Sequence, residues 1–317
     1  LGLFLLLTPH RRLLLRLRSW GTLTIALLTF SPNILWNRAH EWIAFAFQFK
    51  HGIGTSRWPR LNLLGEYVGG QIGMATPLLF IALIIALVAA LKAWKKDQGK
   101  LLFLATFTLI PLLAFAFSSL GKRVEPNWPA PAYVAGFILL AWLWDQTVQA
   151  NRPGMKNFLR ISIIVATVIT GTVLVHIRVP FVPVPKKKDV TQQLRGWNRF
   201  GINLDNAVKN FDPNRTLTIC ANRYQESALI AFYTPGQPRT LALNLLSRKN
   251  QYELVPHRQE ILASPLVFVE PLGPAGLNPG LANCFARIDL KDTVWLERGA
   301  NDRTPYGVFL GTLKPGS

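Results

Sequence analysis

Leu78-Leu-Phe-Ile-Ala-Leu-Ile-Ile-Ala-Leu-Val-Ala-Ala-Leu91 contains no polar side chain. A helix built from it has no face to offer to water. A helix needs about 20 mostly apolar residues to cross a hydrocarbon core. Residues 67–91, which enclose this run, meet that length without a charge. Four further charge-free stretches approach or meet it: 19–37, 101–121, 126–144 and 161–175. The last is short, but His176 and Arg178 follow it and can reach an interface along their apolar stems. Buried helices of a large soluble protein are the competing explanation. It is the weaker one, because these stretches lack any charged face.

Outward from these stretches, composition agrees. Of 317 residues, 50% are hydrophobic and 16% charged, and the formal net charge is +19. The apolar content excludes disorder. The 22 prolines and 23 glycines exclude a coiled coil, and two cysteines exclude a disulfide scaffold or a multi-cysteine zinc fold. The charges divide unevenly. Up to Pro185 there are 18 basic and 5 acidic residues, and from Lys186 onward 17 and 11. We therefore expect two domains, a membrane domain over 1–185 and a soluble domain over 186–317. The chain opens with Leu1 inside an apolar run, and its positive charges, Arg11 and Arg12, follow that run rather than precede it. That order is the reverse of a signal peptide and is expected for the end of a helix whose start is missing.

Five spans define two sets of loops. Segments 10–19, 92–100 and 147–160 hold eleven basic residues; segments 36–65, 120–129 and 178–190 hold ten in more positions. The denser set is expected in the cytoplasm, which places the second set and the tail outside it. The Lys186–Lys188 triplet argues against this orientation unless it contacts anionic lipid on the outer leaflet. Glu41, Glu66 and Glu125 then fall on the outer side, together with Arg38, Lys122 and Arg123. Basic groups at headgroup level suit a lipid phosphate, although interfacial anchoring explains any single one. Two outer segments are rich in aromatic rings, prolines and hydrogen-bonding groups. One runs from Ser31 through Arg38, His40 and Glu41 to His51; the other is Gly121-Lys-Arg-Val-Glu-Pro-Asn-Trp-Pro-Ala-Pro-Ala-Tyr133. Such rings form an aromatic belt, and they also stack on sugars.

Several of these segments resemble bacterial glycosyltransferase family 39, in the superfamily of dolichyl-phosphate-mannose protein mannosyltransferases and related to the lipid A aminoarabinose transferase. The resemblance is carried by Ser31-Pro-Asn-Ile-Leu-Trp-Asn-Arg-Ala-His-Glu-Trp42, by Glu66-Tyr-Val-Gly-Gly-Gln71 with Pro77, and most specifically by Glu125-Pro-Asn-Trp-Pro-Ala-Pro-Ala-Tyr133. In the tail, Leu194-Arg-Gly-Trp197, Arg223-Tyr-Gln225, Phe232-Tyr-Thr-Pro-Gly-Gln-Pro238 and Arg248-Lys-Asn-Gln-Tyr252 support it. The resemblance implies a polytopic α-helical membrane protein of the GT-C type with a small C-terminal α/β soluble domain. It implies transfer of a sugar from a polyprenyl-phosphate donor to a lipid, envelope-glycan or protein acceptor on the outer face of the bacterial inner membrane. Membrane lipid is the further partner, and no nucleic acid is expected. Substrate-binding roles fall on Arg38, His40, Glu66, Lys122, Arg123, Glu125, Asn127 and Trp128. Members use an aspartate of the first outer loop as general base, and some also use a divalent metal. No residue here matches that aspartate, so the base is expected upstream of residue 1 and no catalytic or metal-binding residue is assigned. Glu41, Glu66 and Glu125 are read as structural or substrate-positioning.

The tail reads as a soluble unit after a stiff linker, Val179-Pro-Phe-Val-Pro-Val-Pro185. Leu194, Trp197, Leu204 and Val208 recur at helical spacing, and 223–233 reads as a helix ended by Pro235-Gly236. Strands are expected at 217–221, 241–243, 266–270, 285–290, 293–297 and 308–313. His257 is the tail's single histidine, so a catalytic triad or zinc site is not expected. Cys220 and Cys284 are read as buried thiols, with a disulfide as the alternative in an oxidising compartment. A non-catalytic assembly or sensor subunit is the alternative to an enzyme. A transporter would place ionisable groups mid-span, and these spans carry none.

Overall fold

A computed structural model describes residues 2–52, 58–97, 99–181, 184, 189, 191–245, 250–299 and 302–315. The chain forms two compact units, Leu1–Gly171 and Thr172–Ser317. Lys186–Lys188, Arg248 and Lys249 lie outside the described residues.

The first unit is helical. Its elements are α1 (Gly2–Leu7), a 3-10 turn (Pro9–Leu15), α2 (Leu17–Ala39), α3 (Ile43–Gly52), α4 (Leu61–Ala75), α5 (Pro77–Ala93), α6 (Lys100–Ser119), α7 (Ala130–Gln149) and α8 (Pro153–Arg178), which crosses the unit boundary. Small residues set how closely these helices approach. Ala82, Ala86 and Ala90 recur every four residues along α5 and are fully buried against Leu101 and Ala105 of α6 and Leu139 and Leu143 of α7. By contrast, Ile25 and Leu28 of α2, Leu113 of α6 and Ile163, Ile164, Val168 and Leu174 of α8 stand exposed. Apolar surface of this extent calls for an apolar covering.

Among the described residues two helices, α6 and α8, are long and apolar enough to cross a membrane. Two bent pairs raise the number to four if each is one span: the 3-10 turn with α2, bent by 73°, and α4 with α5, bent by 99°. The expected span 67–91 is therefore not straight. Thr76 at the bend has φ 64°, and Pro77 opens α5. A proline lacks the N–H that would continue α4, and it suits the first position of a new helix. The expected span 126–144 also changes. Pro126 to Pro129 form a turn, α7 begins at Ala130, and α7 is not among the helices that meet the length and hydropathy test.

The second unit is a five-stranded sheet in the order β2-β1-β3-β5-β4. Its strands are β1 (Thr218–Ala221), β2 (Thr240–Ala242), β3 (Leu266–Pro271), β4 (Phe285–Gly299) and β5 (Asp302–Leu313). β2, β1 and β3 are parallel; β5 runs antiparallel to β3 and to β4. Helices cover both faces, as the parallel strands require. On one face Ile219, Val267, Val269 and Leu296 meet Trp197, Phe200 and Leu204 of α9 (Trp197–Lys209) and Ile230 of α10 (Tyr224–Tyr233). On the other, Cys220, Leu241, Leu266, Phe268 and Phe309 meet Ile261 and Leu262 of α11 (Arg258–Ala263) and Leu281 of α12 (Pro279–Ala282). A Cβ on Gly201 of α9 would lie 2.2 Å from the Tyr233 carbonyl oxygen, so only glycine lets α9 and α10 pack this closely.

Two expectations for the tail are corrected. Segments 285–290 and 293–297 are one strand, β4, with a register shift between Leu290 and Asp292. That bulge carries the polar Lys291-Asp292 pair without ending the strand. Leu194 lies in a short 3-10 turn before α9 and is exposed, so it does not belong to the helical stripe. Cys220 is buried as expected, whereas Cys284 is only partly buried.

Candidate functional site

The segment between α6 and α7 carries most of the residues singled out for substrate binding. Its ends are fixed by the backbone. The Arg60 N–H before α4 donates to the Leu120 carbonyl at 2.8 Å. Within the segment, the Trp128 N–H donates to the Glu125 carbonyl and the Ala130 N–H to that of Asn127, both at 3.1 Å. Pro126 and Pro129 restrict the chain between these bonds, and the turn leads directly into α7.

A buried relay then fixes the turn on α4. The Gln71 amide donates to the Pro126 carbonyl at 2.9 Å, and the Tyr133 hydroxyl donates to Gln71 Oε1 at 2.9 Å. Gln71 is only 2% exposed, so its bonds are made away from water. Beside it, a Cβ on Gly70 would lie 2.7 Å from Pro126 Cγ. Glycine at 70 is what allows the proline ring to seat. One helical turn earlier, the Tyr67 hydroxyl donates to the Leu112 carbonyl at 2.9 Å and ties α4 to α6.

This scaffold presents four of the expected residues together. Arg123 Nε lies 3.5 Å from Glu66 Oε2, with the two side chains 76% and 51% exposed. Lys122 Nζ stands 5.4 Å from the centroid of the Trp128 ring, a cation-π distance. Partial burial lowers the Lys122 pKa below its ordinary 10.5. The Trp128 ring lies 6.0 Å from that of Phe115 on α6 and remains 41% exposed. Glu125 and Asn127 are exposed on the same turn. The arrangement offers two cations, one open aromatic face and two carboxylates at one rim of the helical unit.

Arg38 and His40 sit elsewhere on the sequence of elements, at the end of α2. His40 stacks on Trp36 at 4.1 Å and its Nδ1 is 2.8 Å from the Trp36 carbonyl oxygen. Among the described residues, no hydrogen bond or ion pair joins Arg38 or His40 to the 121–129 turn. Glu41 has φ 54° and belongs to the link between α2 and α3. Gln71 and Tyr133 are positioning residues that the site reading passed over. Gln71 ends Glu66–Gln71 and Tyr133 ends Glu125–Tyr133, two segments that carry the family resemblance.

A divalent metal does not fit these donors. Among the described residues no group of three or more His, Cys, Asp and Glu is placed to hold one, and Glu66 already faces Arg123. In the tail, His257 is exposed beside Glu260 at 3.3 Å. Arg258 is buried and donates to the carbonyls of Ala242 and Leu243 at 2.9 and 3.2 Å, which is a structural role.

No family model matches the chain, and no solved structure matches it. Among curated proteins, it is similar to the lipid A galacturonosyltransferase RgtD of Rhizobium johnstonii, 27% identical over 143 residues. The match covers 44% of this chain and 29% of that relative, so it spans less than a third of the relative's length.

Proposed function

We propose that the chain is part of a polytopic GT-C glycosyltransferase of the bacterial inner membrane. It passes a sugar from a polyprenyl-phosphate donor to a lipid or envelope acceptor on the outer face. The observation that supports this most directly is the pinned 121–129 turn. It sets Lys122, Arg123 and Trp128 side by side beside Glu66. Lys122 and Arg123 hold the donor phosphate, which is the leaving group. Neutralising that charge as it develops is the main catalytic demand on a glycosyl phosphate. Trp128 offers its face to the sugar ring, and Asn127 and Glu125 accept or donate to its hydroxyls. Glu66 keeps Arg123 extended until the phosphate replaces it. An exposed ion pair of this kind is worth about 0–1 kcal/mol, so exchange costs little. None of these residues is assigned the part of general base, and no step uses a metal. Residues 1–185 form the membrane domain, and 186–317 the extracytoplasmic domain that shapes access of the acceptor.

The test uses the full chain in detergent with undecaprenyl phosphate as the probe, binding being read by native mass spectrometry. The double substitution Lys122→Ala, Arg123→Ala is expected to weaken binding at least tenfold, about 1.4 kcal/mol. Unchanged binding would remove the turn from the donor site. A second readout fixes the side of the membrane. A cysteine placed at Asn127 should react with an impermeant reagent from outside the cell, and reaction from the cytoplasmic side alone would overturn the orientation.

A further inference from the structure

The second unit has a cavity that the proposed reaction does not use. It lies at the carboxyl ends of the three parallel strands. Asn222 follows β1, Leu245 follows β2, and Glu270 and Pro271 end β3. The segment Gly273–Asn278 closes it, folded back by paired N–H···O bonds between Gly273 and Gly276 at 2.9 and 3.0 Å. The volume is about 480 Å³, within the usual range for small-molecule sites. The strand order gives the position meaning. From β1 the chain crosses by α10 to β2 on one side. It then returns by α11 to β3 on the other side. The crevice between β1 and β3 is thus a topological switch point, where doubly wound sheets bind their ligands.

The polar groups there are incompletely satisfied. Among the described residues, Asn222 Oδ1 is shielded from water and has no hydrogen-bond partner; Glu226 Oε2, on the first turn of α10 and outside the cavity lining, has none either. Glu270 is 7% exposed and, among the described residues, accepts a single long bond, 3.4 Å, from the Asn222 N–H. Buried polar atoms without partners cost free energy, so each one asks for an explanation. Here the cavity supplies one for Asn222 and Glu270, which line it.

We infer that this crevice binds an uncharged, polyhydroxylated ligand, of the class of a single saccharide ring. The class follows from what the lining lacks. Asn222 Oδ1 can only accept, so the ligand must bring a donor. Glu270 is held protonated near neutral pH by burial and by the adjacent Glu226 carboxylate, against the Asn222 N–H and Arg223. It therefore donates as well as accepts. A hydroxyl satisfies both demands. An ammonium only donates and so cannot answer a donating Glu270, and a phosphate or carboxylate would bring its negative charge close to that of Glu226. Leu277, Leu281 and Pro271 supply apolar walls for the C–H face of a ring.

Nothing in this inference draws on the membrane unit, so its failure and that of the donor site are separable. The experiment titrates the full chain in nanodiscs with methyl α-D-glucoside, methyl α-D-galactoside and methyl N-acetyl-β-D-glucosaminide, followed by saturation-transfer NMR. At least one is expected to bind saturably. Asn222→Ala should weaken that binding tenfold or more. Ala275→Trp, placed on the exposed rim without disturbing the buried groups, should abolish it even if Asn222→Ala perturbs folding. Glu260→Gln on the outer surface should change nothing. Three results would each overturn the inference: no binding of any glycoside, binding that survives Ala275→Trp, or tighter binding of cadaverine or inorganic phosphate than of every glycoside.

Discussion

Glu270 makes the stability of the sheet unit depend on pH, in the direction opposite to that of most carboxylates. Burial, then the charge of Glu226, pushes its pKa from 4.5 to about 8, against the Asn222 N–H and Arg223. The folded chain thus keeps a proton that the unfolded chain releases. The resulting stabilisation is fully present below about 4.5 and is lost as pH rises to about 8. At about 1.4 kcal/mol per pH unit, the whole interval amounts to about 5 kcal/mol. Between about pH 5.5 and 8.5 the loss is about 3 kcal/mol, a rise of roughly a hundredfold or more in the open population. Cys220 provides the assay, because it lies in β1 beside β3 and is fully buried. In a Cys284→Ser background its labelling by dithiodipyridine reports opening of this unit, once corrected for the rate of an unfolded peptide. Glu270→Gln mimics the protonated side chain. It should match the parent below about pH 4, exceed it by about 1.4 kcal/mol at pH 5.5 and by about 4.6 kcal/mol at pH 8.5, and reduce the slope of the profile. Glu226, whose pKa burial also raises, leaves a residual slope of the same sign; a flat parent profile, or a slope in Glu270→Gln as steep as the parent's, would show that Glu270 is ionised in the folded chain.

The helical unit yields three more outcomes. Gly70→Ala sets a methyl group 2.7 Å from Pro126 Cγ. It should cost about 1–3 kcal/mol, seen as earlier thermal unfolding in detergent, together with weaker binding of undecaprenyl phosphate. Gln71→Leu leaves the Pro126 carbonyl and the Tyr133 hydroxyl without their shared partner. It should cost about 1–3 kcal/mol, whereas Gln71→Glu keeps an acceptor for Tyr133 and loses only the donor. Glu66→Gln removes an exposed ion pair. It should change stability by less than about 1 kcal/mol, measured by the same melts, and a loss above that would show the pair to be structural.

Hydropathy made the helical unit legible because an apolar run has no solvent-facing alternative. It carries no information on direction, however. The 99° turn between α4 and α5 lies inside one apolar stretch, and its cause is local: Pro77 behind a Thr76 with positive φ. The turn at 125–129 was legible as a motif of restricted backbone. Its support by Gln71 was not, because 55 residues separate Gln71 from the Pro126 carbonyl it holds. In the tail, period-two alternation located the strands. The bulge at Leu290–Asp292 looked like a gap because two charged residues interrupt the pattern while the ladder continues past them. The cavity at Asn222 and Glu270 had no linear signature. Those residues are 48 apart, and a parallel sheet brings them together only after two crossovers.

The two sites differ in what their polar groups can do without a ligand, and that difference bears on function. At the 121–129 turn, the buried groups are satisfied: Gln71, Tyr133 and the Pro126 carbonyl answer one another. The exposed groups, Lys122, Arg123 and Glu66, are held only by weak contacts with each other and with Trp128. A rigid backbone under exchangeable charges suits a site through which a phosphate passes repeatedly, since binding then requires no rearrangement of the turn. At the switch-point crevice the order is reversed. Among the described residues, the shielded Asn222 Oδ1 lacks a partner and Glu270 has one long bond, while the rim residues around Ala275 are exposed. Such a site gains most from a ligand that stays, because each hydrogen bond it brings removes a standing cost. If both proposals hold, transfer at the first and retention at the second are separable. A chain altered at Lys122 and Arg123 should lose the first while its opening at Cys220 still slows in the presence of a bound glycoside.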